Sequence, residues 1–276
     1  MQKIMKIGSK EFAIGERTYL MGILNVTPDS FSDGGTHNKL EDALRHTERM
    51  IEEGVDIIDV GGESTRPNYI QISDEEEIER VVPIIEAIRK HWDIPISIDT
   101  YKSKVAKAAC QAGADLVNDI WGLKYDPDMA AVVKEMNVAV CLMHNRKQID
   151  YNNFLDDFQA DMREIIQIAK DAGIADDKMM VDPGIGFAKT HEMNLALMKH
   201  MEIMNQFGYP VLLGTSRKSM IGNVLNVPVD QRLEGTIATS VIGVMKGCHF
   251  IRVHDVKENL KAVQVTEAIL KCSLNL

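Results

Sequence analysis

The sequence predicts a single α/β domain, residues 1–276, that folds as a (β/α)8 TIM barrel. Eight short apolar runs recur along the chain, each followed by a longer segment with helical periodicity, and no linker or change in composition divides the eight units. Runs of Val, Ile and Leu without polar alternation are typical of strands that are covered on both faces. A TIM barrel needs about 250 residues, so one barrel accounts for nearly the whole chain.

The predicted strands follow one another along the chain, and a β-hairpin precedes them. The strands are Tyr19 to Val26, Val55 to Gly62, Ile94 to Asp99, Ala114 to Asp119, Val138 to His144, Lys178 to Asp182, Tyr209 to Gly214 and His249 to Val253. The hairpin, Met5 to Arg17, is expected to cover the floor of the barrel.

Charged residues and glycines indicate where the helices begin and end. The segment Asp74 to His91 has acids in its first turn and cations in its last, as the helix dipole prefers. Glycines that end a helix just before the next strand occur at Gly54, Gly113 and Gly173. Two further helices, one amphipathic and one more apolar, are predicted over Asp156 to Ala172 and Gln231 to Lys246.

The composition argues against several classes of protein. A net charge of −10 disfavours a general nucleic-acid binder, which needs a basic face to release counterions from phosphates. Four widely spaced cysteines without a CxxC pair favour free thiols in a reducing compartment over a disulfide framework. No stretch resembles a signal peptide or a membrane span of about 18 apolar residues. We therefore expect a cytoplasmic protein that binds neither nucleic acid nor membranes.

Each predicted strand ends in polar or charged residues. In a TIM barrel these ends meet at one rim, where the βα loops carry the ligand site. Taken singly, each residue fits a helix cap or a solvated loop. Together they favour a ligand site, because converging charges repel one another and are costly to desolvate. The residues are Asn25, Glu63, Thr65, Asp99, Asn118, Asp119, His144, Asn145, Asp182, Arg217, Lys218, Arg252 and His254.

The cations after the last two strands predict an anion site. Arg217 and Lys218 lie in the segment GTSRKS, and Arg252 and His254 lie in RVHD. The loops after strands seven and eight are the frequent phosphate site of TIM barrels. Isolated surface cations are the alternative explanation for each residue. The segment DPGIGFAKT contains a GxG after a strand, but no acid ends a strand about 20 residues later, so a dinucleotide-binding fold is rejected.

Few residues suit a metal ion. There is no HExxH motif or Cys/His cluster, so tight zinc binding is not expected. Asn25 and Asp33 carry oxygen atoms suited to Mg²⁺ that also bridges phosphate oxygens. Solvation of a loop explains Asp33 equally well.

Eight segments together resemble the dihydropteroate synthases, the sulfonamide-target enzymes of folate biosynthesis. The match runs in order from about Met21 to the C-terminus through NVTPDSFSDGG, GGESTRP, SIDTYKS, NDIWG, LMHN, DPGIGFAKT, GTSRKS and RVHDV. The resemblance implies that 6-hydroxymethyl-7,8-dihydropterin diphosphate reacts with 4-aminobenzoate to give 7,8-dihydropteroate and diphosphate. It also implies Mg²⁺ as a cofactor, a homodimer, and a dissociative substitution that needs no nucleophilic side chain.

The resemblance also implies a role for each site residue. The pterin pocket would comprise Asp99, Asn118, Asp182, Lys218, Met143 and Phe187. The diphosphate would be held by His254, Asn25, Thr65 and Mg²⁺, with Asp33 as a second metal ligand. The aminobenzoate would contact Ser219, Pro67 and Phe31. Catalysis is assigned to Lys218, Arg252 and His254. The chemistry agrees, because a carboxylate can accept from the donor-rich edge of a pterin and a guanidinium can stack on its ring.

Two alternatives share a pterin pocket. A pterin-dependent methyltransferase would transfer a methyl group to a corrinoid partner and has no use for cations that bind diphosphate. A non-catalytic pterin-binding paralogue is expected to lose Asn25, Phe31 or Asp33, all of which are present here. One departure from the family is Asn68-Tyr69, where many members carry small residues, which puts the mobility of that loop in doubt. The apolar helix over Thr236 to Gly247 fits a dimer interface or burial within one subunit.

Overall fold

The computed structural model describes residues 3–27, 36–64 and 71–273 and confirms the predicted barrel. Eight parallel strands pair side by side in one sheet. The two edges of this sheet meet at a parallel bridge between Val181 and Val211, where the Val181 amide donates to the Pro210 carbonyl at 2.9 Å. The sheet is therefore nearly closed, and the helices surround it.

Each barrel strand lies within its predicted segment and is shorter than predicted. The hairpin strands are β1 (Ile4–Ile7) and β2 (Lys10–Ala13). The barrel strands are β3 (Tyr19–Asn25), β4 (Ile57–Gly61), β5 (Ile96–Asp99), β6 (Leu116–Asp119), β7 (Ala139–Met143), β8 (Met179–Asp182), β9 (Leu212–Leu213) and β10 (Phe250–Val253). The described α-helices are α1 (Thr36–Glu52), α2 (Asp74–His91), α3 (Ser103–Gln111), α4 (Met129–Met136), α5 (Phe154–Asp171), α6 (His191–Lys199), α7 (Ser219–Leu225), α8 (Leu233–Met245) and α9 (Val256–Leu270).

Local chemistry explains the helix boundaries. Helix α2 has the bounds predicted for it, and Ser73 caps its first turn by accepting from the Glu76 amide at 3.1 Å. Helix α8 begins later than predicted because residues 229–231 form a 3₁₀ turn. Gly54, Gly113 and Gly173 have φ values of +94°, +118° and +75°, the left-handed conformation that ends a helix at little cost only for glycine.

The N-terminal hairpin closes the floor of the barrel, as predicted. Strands β1 and β2 are antiparallel, and Met5 lies opposite Phe12 in the pairing. Both side chains are buried in a cluster with residues from the starts of the barrel strands. The Phe12 ring lies 4.8 Å from that of Tyr19 and 5.5 Å from that of Phe250. Ligands therefore have access to the barrel from the opposite rim.

Strand register aligns the polar residues of that rim. Asn25, Gly61, Asp99 and Asn118 pair in sequence across strands β3 to β6 and form one row. Asp59 lies two residues before Gly61 and therefore points to the same side of the sheet, one layer deeper. The sheet thus stacks carboxylates and amides at the mouth of the barrel.

A buried ion cluster joins the chain on either side of residues 65–70. Lys102, only 3% exposed, donates to Glu63 at 2.8 Å, to Glu77 at 2.7 Å and to the Ile72 carbonyl at 2.8 Å. Tyr101 also donates to Glu63. Burial opposes the charge of Lys102, but the two carboxylates outweigh burial and raise its pKa. The strand-end residue Glu63 therefore serves the architecture of the rim.

Loss of the Lys102 charge should destabilise the fold strongly. We expect Lys102→Met to lower the free energy of unfolding by about 3–5 kcal/mol, because Glu63 and Glu77 would be left buried without their cation. Urea denaturation followed by circular dichroism measures this. Lys104→Met is the matched control, since Lys104 is 73% exposed and 3.5 Å from Asp74. An equal loss in both variants would contradict the prediction.

None of the helices in the described ranges is long and apolar enough to cross a lipid bilayer.

Candidate active site

Arg252 lies at the centre of the barrel mouth. Its Nε donates to Asp59 Oδ2 and its Nη2 donates to Asp99 Oδ2, both at 2.6 Å. Asn118 Nδ2 donates to the same oxygen of Asp59 at 3.3 Å. Four strands, β4, β5, β6 and β10, therefore contribute to one hydrogen-bonded group.

The charges of this group depend on one another. Burial opposes the charge of Arg252, but Asp59 and Asp99 outweigh burial and raise its pKa. Burial raises the pKa of Asp99, the nearby Asp59 carboxylate adds to that effect, and Arg252 opposes it. Asp59 Oδ1 and Asp99 Oδ1 are buried and have no hydrogen-bond partner within the described part of the chain. Each such oxygen costs about 1–3 kcal/mol unless a donor satisfies it, so the site is suited to a ligand with several N–H groups.

Asp182 and Lys218 form a second pair of opposite charges on the same rim. Asp182 Oδ1 accepts from the Gly184 amide at 2.6 Å, and burial raises the pKa of this carboxyl group. Lys218 donates to the Ile185 carbonyl. Burial lowers the pKa of Lys218 to about 8, although Asp182 opposes the shift. A Cβ at Gly214 would lie 3.9 Å from Asp182 Oδ2 and 3.8 Å from Arg252, so the glycine keeps the space between them open.

An apolar surface borders these charges. Met143 packs in a cluster with Tyr101 and Ile120, and Phe187 packs against that cluster. The Lys218 ammonium lies 4.8 Å from the centre of the Phe187 ring. A flat heterocycle could thus contact apolar side chains and reach both pairs of charges.

Two further cations follow strands β9 and β10. His254 Nδ1 lies 2.8 Å from Ser216 Oγ, and the His254 amide donates to the same oxygen at 3.2 Å. Arg217 has a φ of +57° and pairs with Asp255 through contacts of 2.5 and 3.1 Å. Lys218 and Arg252 face the carboxylates of the mouth, whereas Arg217 is held by Asp255.

The remaining predicted residues lie at the rim or outside the described residues. A Cβ at Gly61 would be 3.6 Å from Asn25 Oδ1 and 3.8 Å from Asp99 Oδ2, which places Asn25 beside the carboxylates. Ser219, the first residue of α7, is exposed. Predictions for Phe31, Asp33, Thr65 and Pro67, and the departure at Asn68-Tyr69, lie outside the described residues.

Among the described residues, few side chains of this rim could bind a metal ion. Within the described ranges, no three His, Cys, Asp or Glu side chains are close enough to hold a metal ion. Asn25 supplies one neutral oxygen, which suits a Mg²⁺ ion that arrives with phosphate oxygens and keeps several waters. Among the described residues, Asn25 therefore fits a Mg²⁺ ion held mainly by phosphate oxygens and water, and Asp33 lies outside those residues.

Comparisons with known proteins agree with this geometry. The family described as pterin binding enzymes matches residues 21–254. Dihydropteroate synthase from Clostridium beijerinckii is 61% identical over 97% of this chain and 100% of its own length. The enzyme from Bacillus subtilis is 52% identical over 92% of this chain and 90% of its own length. The chain belongs to the dihydropteroate synthases, within the family of pterin binding enzymes.

Solved structures of dihydropteroate synthases share the fold. One from Clostridium difficile, determined in the presence of pteroic acid, has a TM-score of 0.92 and 47% identity and covers 95% of this chain and 100% of its own. One from Xanthomonas albilineans, with 4-aminobenzoic acid, has a TM-score of 0.94 and 37% identity and covers 99% of this chain and 100% of its own.

The strand-end residues predicted from the sequence do not include Asp59, which belongs to this site. Asp59 binds Arg252 and Asn118 directly, yet it lies inside the run VDIIDVGG and does not end it. A lone carboxylate in an apolar strand was the available signal. Conversely, Asp119 ends its strand but accepts from the Trp121 and Leu123 amides at 2.8 and 2.7 Å, so it shapes a turn.

Proposed function

We propose that this protein, a transferase of the dihydropteroate synthase family, joins 6-hydroxymethyl-7,8-dihydropterin diphosphate to 4-aminobenzoate at the described rim. The observation that carries the proposal is the meeting of Asp59, Asp99 and Asp182 with Lys218 and Arg252 at one mouth of the barrel. The names of its relatives and the ligands in their solved structures support the same reaction.

The pterin would bind among the buried carboxylates. Asp182 Oδ2 would accept from the ring N–H and the 2-amino group, which form the donor edge of the pterin. Asp99 and Asn118 would hold the opposite side of the ring. Arg252 would stack on the ring plane, with Met143 and Phe187 as apolar neighbours. Contact with the ring would satisfy Asp99 Oδ1, which is buried and has no partner among the described residues.

The reaction would be a dissociative substitution. The bond between the exocyclic carbon of the pterin and the diphosphate oxygen breaks, and its electron pair leaves with diphosphate. The resulting cation is delocalised over the pterin and lies beside buried carboxylates, which stabilise positive charge. The neutral amine of 4-aminobenzoate then donates its lone pair to that carbon and loses one proton to solvent.

Lys218, Arg252 and His254 would stabilise the departing diphosphate. Fixed cations in a water-poor site act most strongly on charge that develops during bond cleavage. Asn25 would contribute an oxygen to Mg²⁺, with Asp33 as the second ligand that the family implies, and Thr65 would contact the diphosphate. When bound, Mg²⁺ would neutralise part of the charge on the leaving group. Ser219, Phe31 and Pro67 would contact the aminobenzoate.

A continuous assay of diphosphate release tests this function. We expect release from the pterin diphosphate to depend on 4-aminobenzoate and to yield dihydropteroate in equal amount. Chelation of Mg²⁺ by EDTA should slow turnover, and added Mg²⁺ should restore it. Binding of the pterin without release would favour a non-catalytic paralogue. Methyl transfer from a methylated folate to a corrinoid protein would favour the methyltransferase.

An exposed apolar surface supports a homodimer. Five large side chains of α8 and α9, which we call the α8–α9 face, are 40–69% exposed: Ile242, Met245, Val265, Ile269 and Leu270. Helix α8 buries Thr236, Ser240, Gly243 and Val244 on its other side. Helices α8 and α9 pack against each other, and large exposed apolar surfaces mark interaction sites. A second copy of the chain would cover the α8–α9 face.

Charge on the α8–α9 face should dissociate the dimer. We expect Met245→Glu and Val265→Glu to shift the protein from dimer to monomer in sedimentation velocity at micromolar concentration, because each buries a carboxylate in an apolar interface. Ile149→Glu is the matched control, since Ile149 is 52% exposed in a loop elsewhere. A wild-type protein that sediments as a monomer would exclude the homodimer.

The cysteines support a cytoplasmic location. Cys110, Cys141 and Cys248 are buried free thiols, and Cys272 is an exposed free thiol. Burial raises the pKa of Cys110 to about 12 and that of Cys141 well above its ordinary value. Thiols of this kind are typical of proteins in a reducing compartment.

A further inference from the structure

A buried lysine lies behind the pterin pocket, where it contacts the backbone of the loop after β8. Lys189 is 8% exposed and lies near the end of the loop that follows β8. Asp182, the last residue of β8, comes directly before this loop. The Lys189 ammonium donates to the Gly184 carbonyl at 2.9 Å and to the Phe187 carbonyl at 3.0 Å. Its third partner is His144 Nδ1, at 2.9 Å. The amino group therefore has three acceptors, and burial lowers the pKa of Lys189 to about 7, although Asp182 opposes the shift.

His144 is held in the state that can accept. Its Nε2 lies 2.9 Å from Asp161 Oδ2 on helix α5, so a proton on Nε2 leaves Nδ1 as an acceptor. Burial lowers the pKa of His144 to about 4, although Asp161 opposes the shift. Arg146 donates to both oxygens of Asp161, at 2.6 and 3.1 Å, and keeps this carboxylate charged. The chain of contacts thus runs from α5 through His144 to the β8 loop.

The backbone of the loop after β8 is unusual and therefore needs fixed contacts such as those of Lys189. Gly184 has a φ of +67°, and a Cβ there would lie only 2.0 Å from the His144 carbonyl. Ala188 has a φ of +43°, an uncommon conformation for a residue with a side chain. The Gly184 amide donates to Asp182 Oδ1 at 2.6 Å, so the position of Gly184 fixes the orientation of the pterin-binding carboxylate.

We propose that Lys189, oriented by His144 and Asp161, is a positioning residue that holds the β8 loop so that Asp182 and Phe187 face the pterin. The proposal rests on the proposed function. Lys189 acts through backbone carbonyls and touches no substrate atom. Its removal should therefore weaken pterin binding while leaving the aminobenzoate subsite unchanged.

Affinity for 6-hydroxymethyl-7,8-dihydropterin diphosphate, measured by calorimetry, tests the proposal. We expect Lys189→Met to raise the Kd at least about tenfold, whereas the KM for 4-aminobenzoate at saturating pterin changes less than about twofold. Met has nearly the length of Lys but no donors. A protein that is only less stable would melt at lower temperature with an unchanged Kd.

Two substitutions of His144 provide a matched pair. Asn and Leu have similar shapes, and both remove the ring and its tilted contact with Phe158, whose ring centre lies 4.6 Å away. Only Asn keeps an acceptor close to the position of Nδ1. We expect His144→Leu to raise the Kd about as much as Lys189→Met, and His144→Asn to leave it within about threefold of wild type. The double variant of Lys189→Met with His144→Leu should bind no more weakly than Lys189→Met alone, because His144 acts on the loop through Lys189.

Each outcome separates the two proposals. If the wild-type protein fails to bind the pterin diphosphate, the proposed function is wrong. If the wild type binds and both Lys189→Met and His144→Leu keep its Kd within twofold, Lys189 serves stability alone and the inference is wrong. Equal weakening by His144→Asn and His144→Leu would also overturn it. Should Lys189→Met fail to fold, the His144 pair decides the question.

Discussion

Asp182→Ala should abolish measurable binding of the pterin diphosphate. The carboxylate is buried, its Oδ1 is occupied by the Gly184 amide, and its Oδ2 faces the space that Gly214 leaves open. A pterin in that space would lose a charged acceptor for two N–H groups, and its buried donors would stay unpaired. Such a loss corresponds to at least about 3 kcal/mol, or more than about 100-fold in Kd. Isothermal titration calorimetry measures it.

Two variants make the measurement specific. Asp182→Asn keeps the shape of the side chain but removes the charge and replaces one acceptor by a donor, so it should bind nearly as weakly as Asp182→Ala. Asp119→Asn alters another buried strand-end carboxylate, whose oxygens accept from the Trp121 and Leu123 amides. It should lower stability yet keep the Kd within about threefold. Unchanged affinity in Asp182→Ala would refute the assignment of Asp182.

The fold could be predicted from the sequence because barrel strands leave a distinct pattern. Strands buried on both faces are continuous in Val, Ile and Leu, and the glycines that end the helices occur just before them. Strand β9 was the least well predicted: its ladder covers only Leu212–Leu213, although the apolar run extends from Tyr209 to Gly214. The length of the apolar run reflects how many residues are buried. The length of the hydrogen-bonded strand also depends on closure of the barrel, which the Val181–Val211 bridge completes.

The site could be predicted only as far as strand ends reveal it. Register places Asp99 beside Asn118 in neighbouring strands, and a list of strand ends anticipates both. Asp59 and Lys189 were missed for different reasons. Asp59 lies one layer below the rim, and Lys189 lies behind the loop that carries Asp182. Arg252, the partner of Asp59, is 193 positions away, and His144 is 45 positions from Lys189, so no local pattern indicates these contacts.

The carboxylates that pair with the rim cations change the role expected for those cations. The sequence predicts an anion site of Arg217, Lys218, Arg252 and His254. In the structure Arg252 is already paired with Asp59 and Asp99, and Arg217 with Asp255. The charge of Arg252 therefore acts on two partners. It balances Asp59 and Asp99, which stabilise a cationic pterin ring, and it also attracts the anionic diphosphate. Carboxylates and cations lie close together in fixed positions at this site, which suits a reaction that separates a pterin cation from diphosphate.

Lys218→Met should lower kcat at least about 100-fold, because a fixed, buried ammonium no longer stabilises the developing charge on diphosphate. Single-turnover measurement of diphosphate release at saturating pterin isolates this step from binding. Arg252→Lys should produce a similar loss, since one ammonium cannot bridge Asp59 and Asp99 as the guanidinium does at 2.6 Å. Lysine is used at this position because Arg252→Met would leave two buried carboxylates unpaired and unfold part of the barrel.

A cation at the other end of β8 provides the control for both variants. Lys178 ends a 3₁₀ turn at the start of that strand and donates to Asn137 Oδ1 at 2.7 Å. Lys178→Met should keep kcat within about twofold, because the length of the barrel separates it from the rim. If Lys218→Met and Arg252→Lys both form dihydropteroate at nearly the wild-type rate, charge stabilisation at this mouth does not drive the reaction. The buried carboxylates would then have to supply the rate enhancement by holding the pterin cation alone.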